Sequence, residues 1–316
     1  MTPNTSQRVA AVDCGTNSIR LLIHDAETGE VARENTIVRL GQGVDETGAF
    51  HPDAIARTQE ALAAYVEQMG QERVTRVRMV ATSATRDASN REVFFDMTRD
   101  LLGKIQPGAV AEVISGEEEA SLSFAGATAD MDAARGPFCV IDLGGGSTEF
   151  VMETSDGISA VSTQMGCVRV TERFMHTDPP TEAETLQARA FIDDRLAEAA
   201  ERVPLAEANT FVGCAGTFTT LSALAQNLDA YDPEQIHMSE ISFDRMREVT
   251  QALRAATSAQ RAENPVVHPG RADVIAAGST VVEQMMLAFE REAAASAFVI
   301  SEKDILDGIV AKLLRP

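Results

Sequence analysis

Two stretches of this chain align without a gap. In Val12-Asp13-Cys14-Gly15-Thr16-Asn17-Ser18-Ile19-Arg20-Leu21-Leu22-Ile23, residues Asp13, Gly15, Ser18 and Leu22 fall on Asp142, Gly144, Ser147 and Val151 of a later stretch, Val140-Ile141-Asp142-Leu143-Gly144-Gly145-Gly146-Ser147-Thr148-Glu149-Phe150-Val151-Met152. In each, an apolar run ends on a carboxylate, crosses a glycine-containing turn and resumes as an apolar run, which predicts strand, tight turn, strand. Glycines let successive backbone N–H groups converge on one point and cradle phosphate oxygens. A carboxylate at the strand end can hold a hydrated Mg²⁺ beside that phosphate. One such turn says little, because most globular chains contain several. The repeat constrains far more: it predicts two similar half-domains that face one another.

Composition narrows the class. At 316 residues the chain is long enough for two domains with a sizeable core. Its formal net charge is −21, from 48 acidic and 27 basic residues, which argues against nucleic acid as a partner. No apolar run reaches the roughly 20 residues a bilayer span needs, so no membrane partner is expected. Met1 to Arg8 is polar and lacks a signal peptide's apolar core, which predicts a cytoplasmic protein. The cysteines, Cys14, Cys139, Cys167 and Cys214, form no CxxC or Cys/His cluster, so neither a zinc site nor a disulfide framework is expected.

Between the turns the pattern alternates. Strands are expected at 9–12, 19–24, 31–40 and 77–81, the last closed by Thr82-Ser83-Ala84-Thr85-Arg86, with helices over 52–69 and from 90 to about 102. A strand at 111–114 leads into Ser115-Gly116-Glu117-Glu118-Glu119-Ala120, where Ser115 suits an N-cap and the glutamates suit the helix dipole. The second half repeats the plan, with Met165-Gly166-Cys167-Val168-Arg169 leading into a helix and a long amphipathic helix over 181–202. A third glycine loop, Gly213-Cys214-Ala215-Gly216-Thr217, follows a strand, and His268-Pro269-Gly270-Arg271 delivers an arginine to a helix start. Strand–helix alternation of this kind indicates an α/β layer structure.

The two Asp-led loops, the third glycine loop and their order resemble the superfamily of sugar kinases, heat-shock chaperone ATPases and actin. Within it, Ser115 to Ala120, then Val140 to Glu149, then Met165-Gly166-Cys167-Val168 resemble the exopolyphosphatase/guanosine pentaphosphate phosphohydrolase family in its short, two-domain actinobacterial form. The resemblance spans nearly the whole chain. It implies an α/β fold of two ribonuclease-H-like domains facing a central cleft: residues 1–128 completed by a C-terminal helix of about 301–316, and residues 129–300. The extra C-terminal helical domains of longer members are not expected. The implied activity is metal-dependent release of the terminal phosphate from inorganic polyphosphate, short chains preferred. Hydrolysis of guanosine pentaphosphate, or sensing of polyphosphate or a guanosine penta- or tetraphosphate, is the alternative, and a homodimer is allowed.

Carried over by position, Glu119 matches the catalytic glutamate. Asp142 and Gly144, Gly145, Gly146, Ser147 and Thr148 match a metal-and-phosphate site. Asp13 with Gly15, Thr16, Asn17 and Ser18 matches the other phosphate loop, its Asp a metal ligand. Arg86, Arg20 and Arg271 match arginines that contact phosphate or the guanosine ligand. Mg²⁺ or Mn²⁺ is the implied cofactor, and Glu149 either joins its ligands or stands as a solvated strand residue. Arg169 is expected to brace the domain interface. This chemistry suits the residues. Loop amides, a cation and arginines neutralise phosphate charge, while a carboxylate such as Glu119 orients and deprotonates the attacking water. With no cysteine or histidine in a nucleophile motif, direct attack by water is expected. A superfamily kinase or ATPase is the rival enzyme reading, and Glu119 speaks against it, because a kinase must keep water from the phosphoryl group.

Overall fold

A computed structural model describes residues 7–155 and 157–315. Most of the polar N-terminal stretch, residues 1–6, lies outside them. The chain divides into two compact units, Met1–Leu122 with Ile305–Pro316, and Ser123–Asp304.

The first unit contains β1 (Arg8–Cys14), β2 (Ser18–Asp25), β3 (Gly29–Ile37), α1 (Val44–Thr47), α2 (Pro52–Gln71), β4 (Arg76–Ala81), α3 (Ser83–Asp87), α4 (Glu92–Leu102) and β5 (Glu112–Val113). Helix α5 (Gly116–Ala127) runs from this unit into the next. The second unit continues with β6 (Phe138–Leu143), β7 (Thr148–Thr154), β8 (Gly157–Thr163), α6 (Cys167–Phe174), α7 (Glu182–Arg202), β9 (Thr210–Cys214), α8 (Ala215–Ala225), α9 (Pro233–Ile236), β10 (Glu240–Ser242), α10 (Phe243–Ala255), α11 (Ser258–Ala262), α12 (Ile275–Ala293) and β11 (Ala297–Ile300). Helix α13 (Ile305–Leu314) returns to the first unit.

Among the described residues the strands form a sheet of order β3-β2-β1-β4-β5 and another of order β10-β11-β9-β6-β7-β8. Leaving β10 aside, both follow one plan. Three antiparallel strands lie beside two parallel ones, the first strand central, as in a ribonuclease-H-like fold. The continuous apolar run of β1 follows from burial on both faces. Ala10, Val12 and Cys14 pack into the core with α2 and α4, whereas Val9 and Ala11 pack against Ile305, Leu306 and Ile309 of α13. Gly308 is needed there, since a Cβ on it would lie 2.1 Å from the Leu122 carbonyl oxygen. In the second unit α12 is buried over most of its length, with Phe289 stacked on Phe211 at 4.1 Å between ring centroids.

Some elements differ from the expected ones. Ser83–Asp87 is a helical turn rather than a plain strand closure, and α9, α11 and β10 carry no periodic signal, being only three to five residues long. Among the described residues, no helix is long and apolar enough to cross a membrane.

Candidate active site

The repeat seen in sequence is a repeat in geometry. Gly15 N–H donates to the Ser18 carbonyl at 2.9 Å, and Gly144 N–H donates to the Ser147 carbonyl at 3.0 Å. Each turn joins antiparallel strands in the same register, with Asp13 opposite Arg20 and Asp142 opposite Glu149. Residues directly opposite on such strands point to one face of the sheet. The same structural position therefore carries a cation in one copy and a second anion in the other.

In the first unit the opposite charges meet. Arg20 donates Nε and Nη2 to Asp13 Oδ2 at 3.1 and 2.7 Å, so its guanidinium neutralises a buried carboxylate. The turn is held from behind by the segment after β3. The Thr16 carbonyl accepts from Gly41 N–H at 2.8 Å, and the Asn17 carbonyl accepts from Val38 and Arg39 N–H at 3.0 and 2.8 Å. Gly41 lets the two segments touch, because a Cβ there would meet Thr16 Cγ2 at 2.3 Å. Arg39 takes a left-handed backbone at φ 53°, a costly conformation for an arginine that the surrounding bonds enforce.

Glu119 lies one turn into α5, and the three glutamates there have separate environments. Glu117 is exposed. Glu118 is half-exposed and accepts from Arg78 at 2.8 Å; that guanidinium, with help from Lys312, holds its carboxyl below the ordinary glutamate range. Glu119 is 8% exposed, and its Oε2 accepts from Arg86 Nη1 at 2.7 Å. Arg86 Nη1 also donates to the Ile114 carbonyl at 3.1 Å, which fixes the guanidinium against β5's end. Its Nη2 is buried and has no hydrogen-bond partner among the described residues, as is true of Thr16 Oγ1 and Thr85 Oγ1. A buried donor of this kind is costly unless something polar binds it.

In the second unit Asp142 and Glu149 are 7% and 1% exposed, so Glu149 is no solvated strand residue. Ser123 Oγ donates to Asp142 Oδ2 and Ser162 Oγ to Glu149 Oε1, each at 2.6 Å. The loop between them is held by the start of α6. The Gly144 carbonyl accepts from Cys167 N–H (3.0 Å), the Gly145 carbonyl from Val168 and Arg169 N–H (2.8 and 3.1 Å), and the Gly146 carbonyl from Gly166 N–H (3.2 Å). Arg169 Nε adds a bond to the Gly146 carbonyl at 2.8 Å. Thr148 Oγ1 donates to the Met165 carbonyl at 3.0 Å. In the third glycine loop, Ala215 sits at φ 67° and the Arg271 guanidinium lies on Gly216, where a Cβ would be 1.9 Å from Nη1.

Sequence reasoning passed over Ser123 and did not foresee the bond Arg169 makes to the second glycine loop. Ser123 had a signal, lying four residues beyond Glu119 on one helix and so on the same face. Arg169 braces the second glycine loop, which no spacing rule reveals. The cysteines are buried, and burial pushes the thiols of Cys14, Cys139 and Cys167 above their ordinary value, Cys167 to about 11. They are therefore protonated at neutral pH and poor nucleophiles.

Asp142 and Glu149 form an all-oxygen pair of buried carboxylates in facing register, a donor set that fits Mg²⁺ or Mn²⁺. Among the described residues no group of three or more His, Cys, Asp or Glu is gathered as a cation cage. That also suits Mg²⁺, which commonly takes one or two carboxylates and completes its shell with water and substrate phosphate. A cation at Asp13 would share the carboxylate with Arg20, which holds its Oδ2.

The fold places the chain among proteins built from a duplicated ribonuclease-H-like unit. More narrowly, it belongs to the Ppx/GppA phosphatase family, whose model matches residues 22–313. It is 52% identical over 313 residues to Exopolyphosphatase 2 of Mycobacterium tuberculosis, covering 97% of this chain and 98% of that one. It is 32% identical over 241 residues to the guanosine-5'-triphosphate,3'-diphosphate pyrophosphatase of Vibrio parahaemolyticus, covering 73% of this chain and 46% of that one. A crystal structure of an exopolyphosphatase-like protein superimposes with a TM-score of 0.90 at 38% identity, covering 97% and 98% of the two chains.

Proposed function

We propose that this protein is an exopolyphosphatase that releases terminal phosphate from inorganic polyphosphate by direct attack of water. The observation that carries the reading is the pair of buried Glu119 with half-buried Arg86, in which one guanidinium nitrogen holds the carboxylate and the other is buried without an acceptor. In this reading Arg86 Nη2 takes a phosphate oxygen, and Glu119 takes a proton from water aimed at the terminal phosphorus. The pairing with Arg86 keeps Glu119 oriented. Within each unit, we assign phosphate oxygens to the amides of that unit's Asp-led loop. Asp142 and Glu149 would hold a Mg²⁺ or Mn²⁺ ion, which supplies charge neutralisation at phosphate when bound. The high similarity to Exopolyphosphatase 2 supports polyphosphate as the substrate class.

The test is phosphate release measured in parallel on short polyphosphate, long polyphosphate and guanosine pentaphosphate. With a net charge of −21 the field of the protein repels a long polyanion. Short chains should therefore be used best, release should be distributive, and kcat/KM should rise as salt is raised moderately. Processive digestion of long chains, or a rate that only falls with salt, would count against this reading.

A second substrate, guanosine pentaphosphate, is favoured by the position of Arg271 on the third glycine loop and by the similarity to the Vibrio enzyme. Arg271→Ala should weaken guanosine tetraphosphate binding more than it slows hydrolysis of short polyphosphate. Gly216→Ala should do the same while keeping the arginine, because the new Cβ displaces the guanidinium. Arg20→Ala is a poorer probe, since it leaves the buried Asp13 without the cation that neutralises it. Equal losses on both ligands would mean that Arg271 serves a phosphate path common to both.

A further inference from the structure

The three carbonyls of the second glycine loop, Gly144, Gly145 and Gly146, all accept hydrogen bonds from one four-residue segment, Gly166–Arg169. The peptides of the loop are trans. In a trans peptide the C=O of one residue and the N–H of the next point in opposite directions. Drawing three successive carbonyls to one side therefore turns the N–H groups of Gly145, Gly146 and Ser147 to the other. Three successive amides turned one way form a concave anion-binding nest. The first N–H groups of a helix usually serve an outside ligand or a capping side chain. In α6 the N–H groups of Cys167, Val168 and Arg169 hold the loop instead.

We infer that the Gly166–Arg169 segment is a strap that sets the direction of the phosphate-binding amides, with Arg169 as a positioning residue that acts through the Gly146 carbonyl. The inference rests on the proposed phosphate-binding role of this loop. Arg169 is 8% exposed, and its Nε reaches Gly146 at 2.8 Å, so the bond is made where water competes poorly. Gly166 brings the strap into contact. A Cβ there would lie 2.2 Å from the Gly145 carbonyl carbon and oxygen, which no small adjustment accommodates. The first unit has its own version, in which Val38, Arg39 and Gly41 take the carbonyls of Thr16 and Asn17 and turn the amides of Asn17 and Ser18 the opposite way. The two straps come from unrelated local structure, a loop after a strand and a helix start. They perform the same operation on the same turn.

Side-chain geometry supplies a discriminating pair of variants. Arg169→Gln keeps a donor nitrogen where Nε stands and removes the guanidinium; Arg169→Met keeps the stem and removes the donor. The probe is the affinity of full-length protein for methylene-bridged triphosphate, read with KM and kcat on short polyphosphate and with Tm. Arg169→Met should weaken analogue binding about tenfold or more. Arg169→Gln should recover most of it, and Gly166→Ala should repeat the loss with the arginine in place. Gly145→Ala, in the loop itself, tests the underlying reading. If Gly145→Ala weakens the analogue and Arg169→Met does not, the strap is wrong and the loop reading stands. If Gly145→Ala leaves affinity unchanged, both fall. Equal losses for Arg169→Gln and Arg169→Met would also overturn the inference, since the hydrogen bond to Gly146 would not be what matters. Should Arg169→Met fail to fold, the contrast of Gly166→Ala with Arg169→Gln decides: intact affinity in Gly166→Ala overturns the strap.

Discussion

Glu119→Gln should slow single-turnover phosphate release from short polyphosphate by about 10²–10⁴-fold, the usual loss when general-base help is removed. The substitution keeps the size of the side chain, and its amide oxygen can still accept from Arg86 Nη1, so the local fold is spared. What is lost is the oxygen that takes a proton. Affinity for methylene-bridged triphosphate should hold or tighten, because the phosphate contacts are assigned to loop amides and arginines and one negative charge has gone. Glu118→Gln is the matched control. Glu118 is paired with Arg78 and Lys312 at the surface, and such exposed pairs contribute little. Its carboxyl is held below the ordinary glutamate range by Arg78, which makes it a poorer base than a free glutamate. If Glu118→Gln loses the chemistry and Glu119→Gln keeps it, the assignment is wrong by one residue. If both remain active, the base lies elsewhere.

How much of this was legible follows from which physical signals are local. The duplicated turn was readable because its meaning is carried by residue type at fixed offsets: an Asp at a strand end, a glycine two residues on, a serine closing the turn. The sheets followed, since an apolar run of β1's kind leaves few alternatives to a strand covered on both faces. The pairing of Arg20 with Asp13 was half-visible. The alignment of Arg20 with Glu149 exposed the charge difference, but antiparallel register was needed to show that each faces its own aspartate. Arg86 and Glu119 are 33 residues apart, and only the path of β5 and α5 brings the guanidinium onto the carboxylate. The hold of Gly166–Arg169 on the glycine loop was invisible for a stronger reason. It is made mostly of backbone N–H groups, which every residue but proline possesses, so side-chain identity encodes little of it. Gly166 is the exception, marked only by the space it leaves.

The charge asymmetry between the two copies leads to the other large expected effect. The first unit neutralises Asp13 internally with Arg20, whereas the second places Glu149 opposite Asp142, and two buried carboxylates on one face repel unless a proton or cation lies with them. Chelation should therefore abolish turnover, and added Mg²⁺ or Mn²⁺ should restore it. Asp142→Asn should weaken cation binding, measured by titration calorimetry on the whole protein, far more than Asp13→Asn, whose carboxylate already has a guanidinium partner. Ser123→Ala should act at one remove: it deletes the 2.6 Å bond that aims Asp142 and should cost about 10–100-fold in cation affinity, as loss of a ligand's supporting partner commonly does. Raising the cation concentration should recover the turnover of Ser123→Ala, whereas Glu119→Gln should stay slow at any concentration. Full activity in excess chelator would remove the cation from the reaction altogether, and equal losses for Asp13→Asn and Asp142→Asn would give both aspartates a ligand's role.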